Sequence, residues 1–408
     1  MTNIVDGLKE PRLSLKDICR LIDRTDNFVI YGINALGQKV TKMLERINKR
    51  VIGFVHSGDG GDLTDEEIDE IGKIDLKNSK IIIASYHELE IAKRLTAQCS
   101  LSYYKDFVFF DHVKMAIDRD FPDSFGSDFF YFLKKEQSKF KKAFNILEDE
   151  YSREIYQKVL KFRVDIFSPE NIALDDLPTH IEVQNEYEAG SARYVDLLPS
   201  SIPESLRKDI AFKISLDPYS YFDVVTPRNK KVILNIGAYN NTSVMFAFLS
   251  PKSVIYAFEP QEDMHRQNVR LSEICPSIKP IKAGAWNRTG KVPFDVRVSD
   301  ICGTTDSSIH DDGNSVIDVY RIDDFIAENN IECVDFIKMD IEGAELEALE
   351  GAKDTIREHG PDLAISIYHK PEHMHSIPLL IKDMCPEYKV YIDHRYYNPT
   401  ATICFGTK

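Results

Sequence analysis

VILNIGAYNNTS, residues 232–243, and VIYAFEP, residues 254–260, decide the fold. The first is an apolar strand (Val232, Ile233, Leu234, Ile236) that ends at Gly237 and Ala238, and the second is an apolar strand with Glu259 at its tip. A strand that runs through a glycine turn into a helix brings the backbone close to a charged ligand. Glycine has no Cβ to hold the ligand off, and the first turn of the helix has unpaired N–H groups. A carboxylate at the tip of the following strand has the position and chemistry to accept hydrogen bonds from both hydroxyls of a ribose. Two positions depart from this pattern: Asn235 stands where an acid is usual, and Asn241 where a second glycine is usual.

Outward from this pair, strands and helices alternate from about Asp217 to the last residue. The strands are KVILNIGA, SVIYAFEP, IKPIKAGAW, VDFIKMDIEGAE, DLAISIYHK, KVYIDHR and TATICFG. Seven strands suffice for a complete doubly wound sheet, whose ligands sit beyond the carboxyl ends of the strands. The chain starts with a second α/β pattern. FVIYG (28–32), RVIGFVHS (50–57), KIIIASY (80–86) and YKDFVFFD (104–111) alternate with helical stretches, which predicts a small parallel sheet over residues 1–118. Residues 119–215 read as a helical connector with a loop that covers a site. Phe140, Phe144 and Leu147 lie on one helical face, Ser152 is the expected N-cap of the next helix, and six prolines interrupt 165–227. Residues 216–408 form the expected second domain.

The size and charge narrow the function. At 408 residues the chain exceeds one ordinary domain, and 43% hydrophobic with 29% charged residues is a globular composition. No apolar run approaches the roughly 20 residues of a membrane helix. MTNIVDGLKEPRLSLKDICRLIDR has neither the apolar core nor the cleavage site of a signal peptide, which predicts a cytoplasmic protein. A net charge of −15, with basic residues interspersed among acids, argues against a nucleic-acid partner. The cysteines at 19, 99, 275, 302, 333, 385 and 404 never form a CxxC pair, so reduced core thiols are expected rather than a zinc site or disulfides.

The segment DFIKMDIEGAE, residues 335–345, carries the second cluster of chemistry. Lys338 and Asp340 alternate with Ile337 and Met339 along a strand and so share a face near its carboxyl end, while Glu342 and Gly343 turn into a helix. Three charges at a strand tip are costly unless they pair with each other or with a ligand.

With KMDIEGAE at 338–345, AFEP at 257–260, GAW at 284–286 and IYHK at 367–370, the C-terminal half resembles the FkbM family of S-adenosylmethionine-dependent methyltransferases. The resemblance implies a seven-stranded Rossmann-like methyltransferase fold and O-methylation of sugars or other hydroxylated metabolites, with a small-molecule or glycan substrate. An added N-terminal Rossmann-like unit and helical connector is the layout of many members in surface-glycan pathways. By position, Asn235, Gly237, Ala238, Tyr239 and Asn241 match the loop that holds the methionine part of the cofactor, and Glu259 matches the ribose acid. Gly284, Ala285 and Trp286 match the adenine enclosure, where Trp286 is placed to stack. Lys338, Asp340 and Glu342 match the acidic motif that faces the transferred methyl group.

Loss of the acid at 235 removes about 1 to 4 kcal/mol of attraction for an ammonium group, depending on the effective dielectric. Asparagine at 241 suits a positive φ better than most residues. O-methylation needs an aligned hydroxyl and a base for its proton. Asp340 is the first candidate base, His369 the second and His394 a third. Asp340 and Glu342 are alternatively placed to bind a divalent cation, but two carboxylates with no third ligand visible in the sequence do not establish a metal site, and none is assigned.

At the N-terminal turn, Gly32, Asn34 and Gly37 form GxNxxG, a degraded dinucleotide fingerprint, with His56 where the ribose acid belongs. The segment resembles the small Rossmann-like domains of sugar-modifying enzymes, and a docking or positioning role is expected of it. Two readings compete with a sugar O-methyltransferase. One is a catalytically silent relative that binds a glycan precursor or acts as a scaffold. The other is an NAD-dependent sugar-modifying enzyme that uses the Gly32 loop.

Overall fold

The computed structural model describes residues 8–55, 64–85, 87–118, 123–168, 225–227, 229–239, 242–296, 307–309, 313–394 and 402–408, with single positions between 171 and 211. Asn241, His56 and most of the expected covering loop lie outside the described residues. Contacts divide the chain into two units, one of residues 1–136, 160–181 and 299–304, the other of 137–159, 182–298 and 305–408.

In the first unit, β1 (Asn27–Tyr31), β2 (Arg50–Val55), β3 (Ser79–Ile83) and β4 (Phe107–Phe109) form a parallel sheet in the order β2-β1-β3-β4. The central strands are apolar throughout because a parallel strand is covered on both faces; Phe28 to Tyr31 and Ile81 to Ile83 are all buried. The helices of this unit are α1 (Leu15–Arg24), α2 (Ala35–Arg46), α3 (Asp65–Gly72), α4 (Glu88–Cys99), α5 (Phe110–Asp118) and α6 (Gly126–Lys135), of which α2, α3 and α4 connect successive strands. The acidic α3 carries little apolar periodicity and is fixed by its start, where Thr64 and Glu67 form a capping box.

The N-terminal glycine turn is closed by its own residues. A Cβ on Gly32 would overlap the Ala84 carbonyl oxygen, and one on Gly37 would overlap the Gly32 carbonyl oxygen. Asn34 caps α2 by accepting from the Gly37 amide at 2.9 Å, and its Nδ2 donates to the Ala84 carbonyl at 3.2 Å. One side chain thus bridges the ends of β1 and β3, across the crevice where the strand order reverses and where a dinucleotide would lie.

The second unit starts with α7 (Gln137–Ile146) and includes the first part of α8 (Glu150–Asp165). Its seven-stranded sheet contains β5 (Val232–Ile236), β6 (Val254–Phe258), β7 (Ile278–Ile281), β12 (Phe336–Met339), β13 (Asp362–Ser366), β14 (Lys389–His394) and β15 (Thr402–Thr407), in the order β14-β15-β13-β12-β5-β6-β7. All neighbours are parallel except β15, which is antiparallel to both β13 and β14. This is the expected Rossmann-like methyltransferase sheet, and its register sets the site. Ile236 pairs with Met339 on one side and Phe258 on the other, so Gly237, Asp340 and Glu259 all follow at the same edge.

A second sheet of β8 (Gly284–Trp286), β9 (Gly290–Asp295), β10 (Ser308–Ile309) and β11 (Ser315–Arg321), in the order β10-β9-β11-β8, was not expected. The stretch IKPIKAGAW is therefore two strands, because a turn from Ala283 N–H to the Ile281 carbonyl (3.0 Å) parts β7 from β8. The remaining helices are α9 (Thr242–Leu249), α10 (Glu262–Ile274), α11 (Ile322–Glu328), α12 (Glu345–Gly351), α13 (Lys353–His359) and α14 (His373–Met384).

Part of the expected connector belongs to this unit's core. Phe140 of α7 meets His375 of α14 edge-on at 4.8 Å between ring centres, and the Tyr156 hydroxyl donates to the Met374 carbonyl at 2.9 Å. Ser152 is not the N-cap of its helix. Asp149 accepts the Ser152 amide at 2.8 Å, and the Ser152 hydroxyl accepts the Ile392 amide at 3.1 Å. Of the six described cysteines, Cys385 and Cys404 are buried, whereas Cys333 is exposed and the other three are half-buried, so core packing accounts for two. Among the described residues no helix is long and apolar enough to cross a membrane.

Candidate active site

β5 and β12 lie side by side because both are short, wholly buried apolar strands, and the turns that follow them meet. Gly237 has φ +76, and a Cβ there would overlap the carbonyl oxygen of Asp340. No other residue type fits this approach. Lys338 locks the pair from below: its ammonium, 3% exposed, donates to the Gly237 carbonyl at 2.7 Å. Lys338, expected to face the transferred group, also ties down the loop.

The loop's own amides turn inward. Gly237 and Ala238 donate to the Phe258 carbonyl at 3.1 and 2.9 Å, and the Tyr239 amide donates to Glu259 Oε2 at 2.9 Å. Glu259 Oε1 accepts the Gln261 amide at 2.9 Å. The carboxylate is thus buried and aimed between two turns, with lone pairs left over for ribose hydroxyls. Burial raises its pKa, against the lowering effect of the Gln261 and Tyr239 amides and of Lys338. Asn235 and Ala238 have no exposed surface, and Ala285 has almost none. Asn235 Nδ2 donates to the Ser243 hydroxyl of α9 at 2.9 Å, and its Oδ1 is buried with no partner. Buried Asn268 behaves alike: Nδ2 reaches the Tyr239 and Met264 carbonyls while Oδ1 is orphaned. Trp286 is half-buried on β8, and its carbonyl is packed against Gly351 at the end of α12.

Beyond β12 the turn from Asp340 to Gly343 is held by a residue the sequence reading did not single out, Glu345. It has no exposed surface, and its Oε1 accepts the amides of Ile341 at 2.9 Å and Gly343 at 3.5 Å. The same oxygen lies 2.8 Å from His369 Nδ1, while Oε2 lies 3.2 Å from His373 Nδ1. On its other side His369 Nε2 is 3.4 Å from Asp340 Oδ1 and 3.3 Å from Glu342 Oε2. These contacts are ion pairs in distance, without the alignment of hydrogen bonds. The Tyr368 hydroxyl donates to Asp340 Oδ1 at 3.0 Å.

Burial alone would lower the pKa of His369, but Glu345 and Glu342 beside it raise it well above the ordinary value. Burial would likewise raise Glu345, and His369 and His373 bring it well below the usual carboxylate range. His369 was read as the second candidate base, and these carboxylates favour its protonated form. Asp340, a quarter exposed, and Glu342, a third exposed, are the carboxylates of the cluster that face both the protein and solvent. His394 is not brought here. It sits on β14, two strands away from β12, with Nδ1 2.8 Å from the Thr402 hydroxyl.

Residues 235–388 match the family described as the methyltransferase FkbM domain. The chain is 27% identical over 151 residues to a 2-O-methyltransferase, NoeI, of Sinorhizobium fredii, a match that covers 31% of this chain and 58% of that protein. It is 24% identical over 127 residues to the hexuronic acid methyltransferase AglP of Haloferax volcanii, covering 31% of this chain and 52% of that protein. The chain thus spans little more than half the length of these relatives. A solved structure, the methyltransferase FkbM of Methylobacillus flagellatus, shares the fold with a TM-score of 0.57 at 19% identity, covering 99% of this chain and 95% of that one.

Proposed function

We propose that the FkbM domain binds S-adenosylmethionine at the β5 and β6 turns and methylates a hydroxyl of a sugar or sugar-containing small molecule. The observation that carries this reading is the meeting of Gly237 with Asp340. A loop that only glycine can form is pressed against the first residue of the acidic turn, with the buried Glu259 on its other flank. The residues fit the cofactor. Glu259 would hold the ribose, Trp286 would face the adenine, and the orphaned oxygens of Asn235 and Asn268 are acceptors at the end where an ammonium group belongs. Bound S-adenosylmethionine supplies an electrophilic methyl carbon on a sulfonium.

The chain's own residues do the rest. Asp340 accepts the proton of the acceptor hydroxyl as its oxygen bonds to the methyl carbon and the carbon–sulfur bond breaks. Tyr368 holds Asp340 by donating to its Oδ1. Glu345 fixes both the turn and the His369 ring, and Lys338 keeps Gly237 in place. The names of the similar proteins NoeI, a 2-O-methyltransferase, and AglP, a hexuronic acid methyltransferase, support a sugar hydroxyl as acceptor.

The silent-relative reading is favoured by one observation: the amides of residues 237–239 are all used within the protein, so the cradle is less generous than its sequence suggests. Titration calorimetry with S-adenosylmethionine, S-adenosylhomocysteine and NADH separates the readings. Heat with both sulfur ligands, lost in Glu259→Ala, is expected. No heat with either at about millimolar concentration, a level at which binding is worth only about 4 kcal/mol, would overturn the proposal, and heat with NADH alone would restore the NAD reading.

A further inference from the structure

The chain beyond β13 brings three consecutive side chains to the acidic turn that follows β12. The Tyr368 hydroxyl donates to Asp340 Oδ1, and the buried His369 ring lies among Asp340, Glu342 and Glu345. Lys370 is the third. Its carbonyl accepts the His373 amide at 3.1 Å at the start of α14, which fixes the backbone there. Its stem runs over Gly343: a Cβ on that glycine would meet Lys370 Cε at 3.0 Å, Cγ at 3.6 Å and Cδ at 3.7 Å. Gly343 has φ +97, so the turn calls for a glycine, and the missing side chain leaves the lysine its place.

We infer that Lys370 selects the acceptor, its ammonium pairing with an anionic group, a carboxylate or a phosphate, on the sugar that the site methylates. The stem is held while the charge is uncommitted. Among the described residues no carboxylate or hydrogen-bond acceptor pairs with this ammonium, although Glu342 is the neighbour of the glycine that the stem covers. The carboxylates of the turn have His369 as their counter-ion, since Glu345 and Glu342 favour its protonated form, and Lys370 is not drawn into that cluster. A half-buried ammonium on a stem that is already packed gives up little further freedom when it binds.

The charge of the site explains why a cation is placed there. Asp340 and Glu342, a quarter and a third exposed, present negative charge where the acceptor hydroxyl has to come, on a chain of net charge −15. Such a rim repels an anionic sugar unless a cation stands at the same turn, whereas a neutral sugar needs none. A lysine serves either anion, because an ammonium acts as a point charge and does not demand the bidentate geometry of a guanidinium. The identity of the acceptor site rests on the methyl-transfer reading, so the test measures sugar binding separately from the cofactor.

The full chain is titrated with methyl glucoside, methyl glucuronide and glucose 1-phosphate, with and without S-adenosylhomocysteine, and the series is repeated on Lys370→Gln and Lys370→Arg. At least one of the two anionic sugars should bind at least about tenfold tighter than the neutral glucoside, as a charged hydrogen bond provides, and the difference should shrink as salt is raised. Whether it is the carboxylate or the phosphate identifies the anion. Lys370→Gln should bring that sugar to within about twofold of the glucoside, while Lys370→Arg, which keeps the charge, should retain most of the preference. A preference that survives Lys370→Gln would overturn the inference, as would no preference for either anionic sugar in the unaltered chain, absence of sugar binding included. S-adenosylhomocysteine binding in that case would leave the methyltransferase reading standing by itself. Anion selection through Lys370 with no S-adenosylhomocysteine binding would instead remove that reading and keep the lysine's role.

Discussion

The chain makes the strand, glycine turn and helix twice, and the two turns are used differently. At the first, Asn34 reaches from Gly37 across to Ala84 and fills the crevice between β1 and β3. At the second, the crevice between β5 and β12 is lined by Gly237, Lys338 and Asp340, and a buried histidine with three carboxylates in reach lies beyond it. Glycines at such a turn are required by the crossover itself, because the backbone passes within a Cβ's reach of its neighbour strand. What separates a site from a scaffold is the chemistry that the neighbouring strand brings to the same edge. β3 brings Ala84 and Ser85, and β12 brings Asp340 and Glu342.

The comparison is broken most severely at Glu345. Glu345→Ala leaves two buried histidines without their shared carboxylate, and removal of one partner of a buried pair costs about 3 to 5 kcal/mol. Thermal unfolding should show that loss, and hydrogen exchange should show the amides of Ile341 and Gly343 opening first. Protection unchanged at those two amides would mean that Glu345 does not hold the turn.

The first unit should be the more acid-sensitive at a defined residue. His112 is fully buried against Phe109 and Phe167, and burial lowers its pKa from 6.5 to about 3. The folded state thus favours the neutral ring. The stability this lends is complete above pH 6.5 and falls away as the pH drops toward 3. Between pH 7 and pH 5 the loss is about 2 kcal/mol at 1.36 kcal/mol per pH unit below 6.5. Exchange of the β1 and β3 amides at the two pH values measures it, and His112→Phe should reduce the difference.

Asn34→Ala tests the scaffold reading of the first turn. Loss of an asparagine N-cap costs about 1 kcal/mol, and the second capping contact to Ala84 lies on the same side chain. The melting temperature should fall slightly while S-adenosylhomocysteine affinity is unchanged. A change in that affinity would show that the two turns are not independent.

Much of this was legible in the sequence, for identifiable reasons. All seven strands of the large sheet were read from the sequence, the central β5, β6, β12 and β13 most clearly because parallel strands covered on both faces are apolar, and the register of β5, β6 and β12 then brings Gly237, Glu259 and Asp340 to one edge. The small sheet was missed because β9 and β11 are half-exposed, with polar residues breaking up their apolar pattern, and β8 is read as the continuation of β7. Glu345 was in plain view as the last residue of KMDIEGAE, yet an acid at a helix start reads as a partner for the helix dipole. Its role depends on His369 and His373, whose spacing of four is visible but does not reveal that both face one carboxylate. Lys338 lies on the expected strand, but its reach to the Gly237 carbonyl is decided by the approach of two turns and not by any local pattern.

The central claim, that the second turn holds the cofactor and the first does not, is tested by one paired titration. S-adenosylhomocysteine is titrated into the unaltered chain, Gly237→Ala and Gly32→Ala, each variant placing a Cβ against a neighbouring carbonyl at a positive-φ position. The account predicts that Gly237→Ala weakens binding at least about a hundredfold, or roughly 2.7 kcal/mol, and that Gly32→Ala leaves it within about twofold. Equal losses in both variants, or binding retained in Gly237→Ala, would contradict it.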